Sequence, residues 1–165
     1  MRKLKLVLMG AVMAMAAVSA SAGDFKTRQG SWEVGGSAGL TADPGLAALQ
    51  GLVNYYITDE IAVGPLAQYE FGNYNFIFGF SGMVKFSGIL ADSTVVRPYG
   101  EVGVGFAEFK VHDVFNGDLK TTYLFPVGGG MEFKLADKLS LDANALLNIS
   151  QKVYVGIFIG VNYIF

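Results

Sequence analysis

From Ser31 onward the apolar positions recur every second residue rather than every third or fourth, which is the period of a strand. The last segment shows it best: Val153, Val155, Ile157, Ile159, Val161, Tyr163 and Phe165 share one face, with Tyr154, Gly156, Phe158, Gly160, Asn162 and Ile164 between them. Similar alternation runs through Trp32–Leu40, Ile61–Phe71, Phe76–Ser87, Arg97–Ala107, Phe125–Leu135 and Leu139–Ile149. Leu49–Ile57 is weaker, because Leu52 and Tyr56 blur its pattern. The count is eight, and single-chain bacterial membrane barrels have an even number of strands. Thr58-Asp59-Glu60 and Ala136-Asp137-Lys138 read as tight turns at one end. Thr41–Ala48, Gly72–Asn75 and His112–Lys120 read as loops at the other. Short periplasmic turns and longer outer loops are the pattern of such barrels, although the Gly88–Thr94 connection is long for a turn and Ser150–Lys152 short for a loop.

Composition decides what this alternation builds. The chain is 52% hydrophobic and only 16% charged, against about 25% charged in an average soluble domain. Beyond residue 22 no apolar run approaches the roughly 18 residues of a membrane helix. Lipid tolerates only helices and closed barrels, so the expected fold is all-β: an eight-stranded antiparallel up-and-down transmembrane β-barrel.

The first residues read as a helical signal peptide over residues 1–22, with the barrel spanning 23–165. Arg2, Lys3 and Lys5 form a basic head, Leu6–Val18 an apolar stretch, and Ala20-Ser21-Ala22 a small-residue cleavage site. Processing before Gly23 would leave nine basic and fourteen acidic residues, net −5, which argues against a nucleic-acid partner. The chain has no cysteine, so disulfides, thiolate metal sites and a lipid-modified N-terminal cysteine are excluded.

The content of the two faces assigns inside and outside. One face carries Glu33, Glu70, Lys85, Arg97, Glu101, Glu132, Lys134 and Asp142 among glycines and serines. Eight charges cannot solvate a barrel exterior, but five acids and three bases can pair inside a narrow lumen. The other face, turned outward, gives an apolar band with aromatics near its rims. Trp32, Tyr55, Phe86, Phe133, Tyr163 and Phe165 fall at one rim, and Tyr69, Phe71, Phe76, Phe78, Phe106 and Phe125 at the other.

Three stretches carry a family resemblance: Pro126-Val127-Gly128-Gly129-Gly130-Met131-Glu132-Phe133, Ala136-Asp137-Lys138-Leu139-Ser140-Leu141-Asp142, and Gly160-Val161-Asn162-Tyr163-Ile164-Phe165. Over its mature length the chain resembles the small OmpA/OmpX-type outer-membrane β-barrels. The resemblance implies residence in the bacterial outer membrane and contact with its lipid. It also implies periplasmic chaperones and the barrel-assembly machinery as partners during biogenesis. Gly160, Tyr163 and Phe165 match the family's C-terminal assembly signal, while Phe158 stands where a polar residue is commoner. No peptidoglycan-binding domain follows the barrel, so that role of larger members is not implied.

Chemistry is sparse. His112, the single histidine, neighbours Asp113 but no serine, so the His–Ser pairing of lipid-modifying barrel enzymes has no local match. Glu108, His112, Asp113 and Asp118 read as a charged loop rather than a cation site. The clusters Gly128–Gly130 and Gly103-Val104-Gly105 lack the helix and Lys-Ser/Thr of a phosphate loop. The expectation is therefore a non-enzymatic barrel without cofactor or metal, serving membrane integrity or presenting surface loops to a ligand the sequence does not name. Small-molecule binding or narrow-channel transport through the barrel is the alternative, and a lipid-modifying outer-membrane enzyme stands third.

Overall fold

The computed structural model describes residues 28–42, 45–72, 75–88, 95–110 and 119–165. The signal-peptide segment, the tip of the His112–Lys120 loop with His112, Asp113 and Asp118, and most of the Gly88–Thr94 connection lie outside these residues. Eight strands follow in order: β1 Trp32–Ala42, β2 Ala47–Tyr56, β3 Ile61–Gly72, β4 Asn75–Ser87, β5 Val96–Lys110, β6 Lys120–Ala136, β7 Leu139–Ile149 and β8 Tyr154–Ile164. Each pairs antiparallel with its chain neighbour, and β1 with β8, giving a closed barrel. Closure leaves no unpaired edge along the wall, which is the condition for a sheet to exist in lipid.

Strands β5 and β6 are longer than the alternation suggested, reaching Lys110 and starting at Lys120, so their hairpin stands above the shorter β7 and β8. The pattern continues there, with Tyr123 exposed and Leu124 buried beside it. The blurred segment is β2, and its blur has a cause. Leu52 and Tyr56 stand on the same face as Gln50 and Asn54, so this strand sends apolar groups inward.

Wall-facing residues are exposed and large: Val104 is 60% exposed, Ile157 44% and Phe165 61%. A water-soluble monomer rarely exposes apolar patches beyond a few hundred Å², whereas a lipid-embedded barrel needs such a band. Aromatics gather toward its rims. Trp32 and Tyr55 lie 5.1 Å apart between ring centres at the termini end, with Tyr163–Phe165 at 5.2 Å. Tyr69–Phe71 at 5.6 Å and Tyr123–Phe125 at 5.5 Å mark the opposite end. Phe133 lies at the expected strand end, opposite Val96 and Leu141, but is covered there, being only 5% exposed.

Gly64 and Gly160 are among the glycines demanded by close approach. A Cβ on Gly64 would overlap the Val53 carbonyl oxygen, and one on Gly160 would overlap the Gly36 carbonyl oxygen and the Ser37 Cβ. Gly160 thus lets β8 close against β1. Gly64→Ala should lower stability by about 1–3 kcal/mol, as overpacking does, read by urea unfolding of the vesicle-inserted protein.

Candidate functional site: a lumen closed by side chains

The lumen is stratified, because the tilt of the strands stacks inward residues from different strands at each level. At the termini end of the barrel, where β1 begins and β8 finishes, Glu33 of β1, Tyr56 of β2, Lys85 of β4 and Glu132 of β6 converge, all buried. Lys85 Nζ donates to Glu33 Oε1 at 3.1 Å and, in a shorter contact, to Glu132 Oε1. Tyr56 donates its hydroxyl proton to Glu33 Oε2 at 2.8 Å, and Asn54 Nδ2 donates to Glu33 Oε1 at 3.1 Å. Lys85 also sits 4.3 Å from the centre of the Tyr99 ring. Tyr99 and Asn144 each donate to Asp142 at 2.8 Å. Glu101 is the ladder partner of Lys85 and is half-buried.

Of the eight charged lumen candidates, Glu33, Lys85 and Glu132 therefore meet directly, with Asp142 and Glu101 alongside. Arg97 lies at the mouth and donates to the Asp59 carbonyl. Lys134 is buried on the same end, its Nζ 3.3 Å from Asp137. Glu70 is remote from all of them, on the far half of β3.

The cluster also holds a base that strand periodicity could not reveal. Arg28 precedes β1, yet its side chain is 3% exposed. Its Nη1 donates to Glu132 Oε2 at 2.6 Å and to the Tyr56 hydroxyl at 2.5 Å, with Glu33 Oε2 at 3.4 Å. The guanidinium carbon lies 5.1 Å from the centre of the Tyr56 ring. Glu132 is thereby shared between Lys85 and Arg28, which is how a buried carboxylate escapes the cost of standing alone.

Above this layer the interior is not the uniformly polar lumen that the alternating charges suggested. Leu66, Met83 and Leu146 pack together at mid-height with Leu52 against them. Gln68 and Asn148 then exchange side-chain hydrogen bonds across the barrel, at 3.4 and 3.1 Å. Nearer the far end Leu46, Ile77, Ala107, Phe109, Leu124 and Tyr154 form an apolar cap, with Phe109 and Tyr154 edge to face at 6.3 Å. Phe158, 1% exposed, also points inward, so the residue that departs from the assembly-signal pattern serves as filling. Glu70 is fully buried near this cap, with the Tyr154 hydroxyl as its polar neighbour.

No group of three or more His, Cys, Asp or Glu among the described residues could hold a metal ion. Glu108 lies on β5 opposite Phe78 and Thr121, and the rest of that candidate cation group falls outside the described residues.

A closed antiparallel barrel with an apolar exterior and a filled polar and apolar core defines a class, the small membrane β-barrels. The family described as "Outer membrane protein beta-barrel domain" matches residues 5–165, and the chain belongs to it. It is a bacterial outer-membrane protein. Among solved structures it is similar to the N-terminal β-barrel domain of Pseudomonas aeruginosa OprF, with TM-score 0.70 and 14% identity, over 85% of this chain and 100% of that one. It is also similar to Ail, the attachment invasion locus protein of Yersinia pestis, with TM-score 0.54 and 16% identity, over 83% and 99% of the two chains. The outer membrane enzyme PagL gives TM-score 0.51 and 14% identity, over 79% and 98%. None of the curated proteins matches the chain. Neighbours of such different description share the fold alone, so the role must be argued from this barrel's own lumen and surface.

Proposed function

We propose that the protein is a non-enzymatic structural barrel, which reinforces the outer membrane and displays its far-end loops at the cell surface. The observation that carries this reading is the filled lumen. An ionic layer, an apolar waist and an apolar cap of buried side chains follow one another along its axis. An eight-stranded barrel has room for side chains or one small ligand, and here the side chains take it. PagL shows an enzyme on a similar fold, and His112, the single histidine, lies outside the described residues.

In biogenesis, residues 1–22 direct export and are removed, leaving the barrel of residues 23–165. Gly160, Tyr163 and Phe165 then present the barrel to the assembly machinery, after periplasmic chaperones have held it. Tyr163 and Phe165 suit this part, because both rings lie on the lipid side, 43% and 61% exposed. The lumen charges act as a structural ion-pair plug. No cofactor and no nucleic acid take part, and the surface loops are free to meet a ligand.

The test has two arms. Purified protein in a planar bilayer should show no steady conductance, while cells lacking it should admit bile salts or large hydrophobic antibiotics more readily. Stable ohmic channels would favour the transport alternative, and an unchanged permeability barrier would overturn the structural role.

A further inference from the structure

The termini-end mouth of the lumen is closed by a strap rather than by the wall. Residues 28–31 turn back on themselves: Ser31 N donates to the Arg28 carbonyl at 2.8 Å, and Gly30, at φ +78°, donates to the Tyr56 carbonyl at 2.9 Å. Asp59, in the β2–β3 turn, fastens the strap from outside. Its Oδ1 accepts from Arg28 N at 2.6 Å and Gln29 N at 2.8 Å. Gln29 and Gly30 stay exposed, whereas the Arg28 side chain enters the barrel.

What Arg28 enters has the composition of a guanidinium receptor. Two carboxylates, Glu33 and Glu132, face the group, and the Tyr56 ring and hydroxyl line its side. Carboxylates bind guanidinium through charge-assisted hydrogen bonds, and aromatic rings add cation–π attraction. With Arg28 in place, its charge and that of Lys85 balance Glu33 and Glu132. Without it, Glu33 and Glu132 share Lys85 as the one base that touches both among the described residues. Arg97, a further base at the mouth, donates to the carbonyl of Asp59 and feels the charge of Glu132 from a greater distance than Arg28 does. Glu101 and Asp142 on the inner side add acid rather than base.

We propose that this mouth is a binding site for a guanidinium group, filled in cis by Arg28 on a strap latched by Asp59. When the strap lifts, the site takes a guanidinium-bearing small molecule or the arginine of an extended periplasmic peptide. The plug is therefore part of the chain but not of the barrel wall.

The experiment uses the full mature chain, refolded in detergent, and ethylguanidinium as the probe, followed by titration calorimetry. Arg28→Ala should bind the probe saturably, the wild type should not, and Arg28→Ala/Glu132→Gln should bind at least about tenfold more weakly than Arg28→Ala. The folded state of each variant is checked by its heat-dependent gel mobility. Asp59→Asn, which leaves every group of the receptor intact, should bind weakly because its strap opens more often; this variant decides the matter alone if Arg28→Ala does not fold. Failure of folded Arg28→Ala to bind the probe, or of Asp59→Asn where only that variant folds, would overturn the proposal. Equal binding to wild type and variants would also overturn it, by showing a site elsewhere.

Latching also depends on pH. The backbone N–H groups of Gln29 and Arg28 hold the Asp59 carboxyl below its usual range. A carboxyl depressed on folding contributes stability above its ordinary pKa of about 4, which fades as pH falls through the folded value. Amide exchange at Arg28 and Gln29, corrected for its intrinsic pH dependence, should therefore quicken below about pH 4 in the wild type. In Asp59→Asn, whose neutral amide oxygen accepts more weakly, exchange should already be faster than in the wild type at pH 7, and equal protection in the two proteins would contradict the latch.

Discussion

Lys85→Met is expected to lower the stability of the folded barrel by about 3–5 kcal/mol, the cost of breaking a buried ion pair by removing one partner. Lys85 donates to both Glu33 and Glu132, so its loss leaves two buried carboxylates with Arg28 as the base that touches both. Asn54 and Tyr56 still donate to Glu33, but neutral donors compensate only part of a buried charge. Urea unfolding of protein inserted in thin lipid vesicles, followed by the fluorescence of its single tryptophan, gives the number. The double variant Lys85→Met/Glu132→Gln should recover part of the loss, with a coupling of about 1–3 kcal/mol, because it removes a charge the first change orphaned. Strict additivity of the two changes would mean that these groups do not act as one network.

The second large effect lies on the opposite face of the wall. Ile157→Arg and Val104→Arg should each cost about 2–4 kcal/mol, the penalty of a cation near the bilayer midplane. Ile157 sits midway along β8, and Val104 midway along β5, both pointing away from the lumen. Ser81→Ala provides the contrast. Its hydroxyl is buried inside the barrel without a hydrogen-bond partner, so removing it should change stability by no more than about 0.5 kcal/mol. Similar costs at all three sites would contradict the assignment of inside and outside.

Alternation is what made the fold readable. In β8 every second residue from Val155 to Tyr163 is exposed, and Tyr154, Gly156, Phe158 and Asn162 between them are buried. A closed wall with lipid on one side imposes a strict period of two, so the sequence carries it plainly. Height along the barrel axis is another matter. Which inward residues meet depends on the stagger between strands, and alternation within a strand does not encode it. The sequence therefore shows Glu70 and Glu33 as equivalent, although one lies in the ionic layer and the other near an aromatic cap. Apolar residues on the inward face, such as Leu66, Leu146 and Phe158, were visible by parity, but nothing in the pattern said that they would pack into a waist and a filling. Arg28 was hidden for a different reason. It belongs to no strand, and only the fold of the strap brings it to Glu132 and Tyr56.

The β5–β6 hairpin shows the limit from the other side. Thr121, Tyr123 and Phe125 continue the outward series of β6, so the extra length was present in the sequence. The charges of Glu108, Lys110 and Lys120 broke the apolar rhythm and shortened the segments read there. Charged groups at this height are natural, because the hairpin rises past the last paired residue of β7.

Depth and facing can be measured together along one strand. Single cysteines placed in turn at positions 155 to 159 of the cysteine-free chain, each carrying a nitroxide in a bilayer, report contact with dissolved oxygen, which concentrates in hydrocarbon. Oxygen collision rates should be high at Val155, Ile157 and Ile159 and low at Gly156 and Phe158. A uniform profile, or one shifted by a single residue, would contradict a barrel that turns this face to lipid.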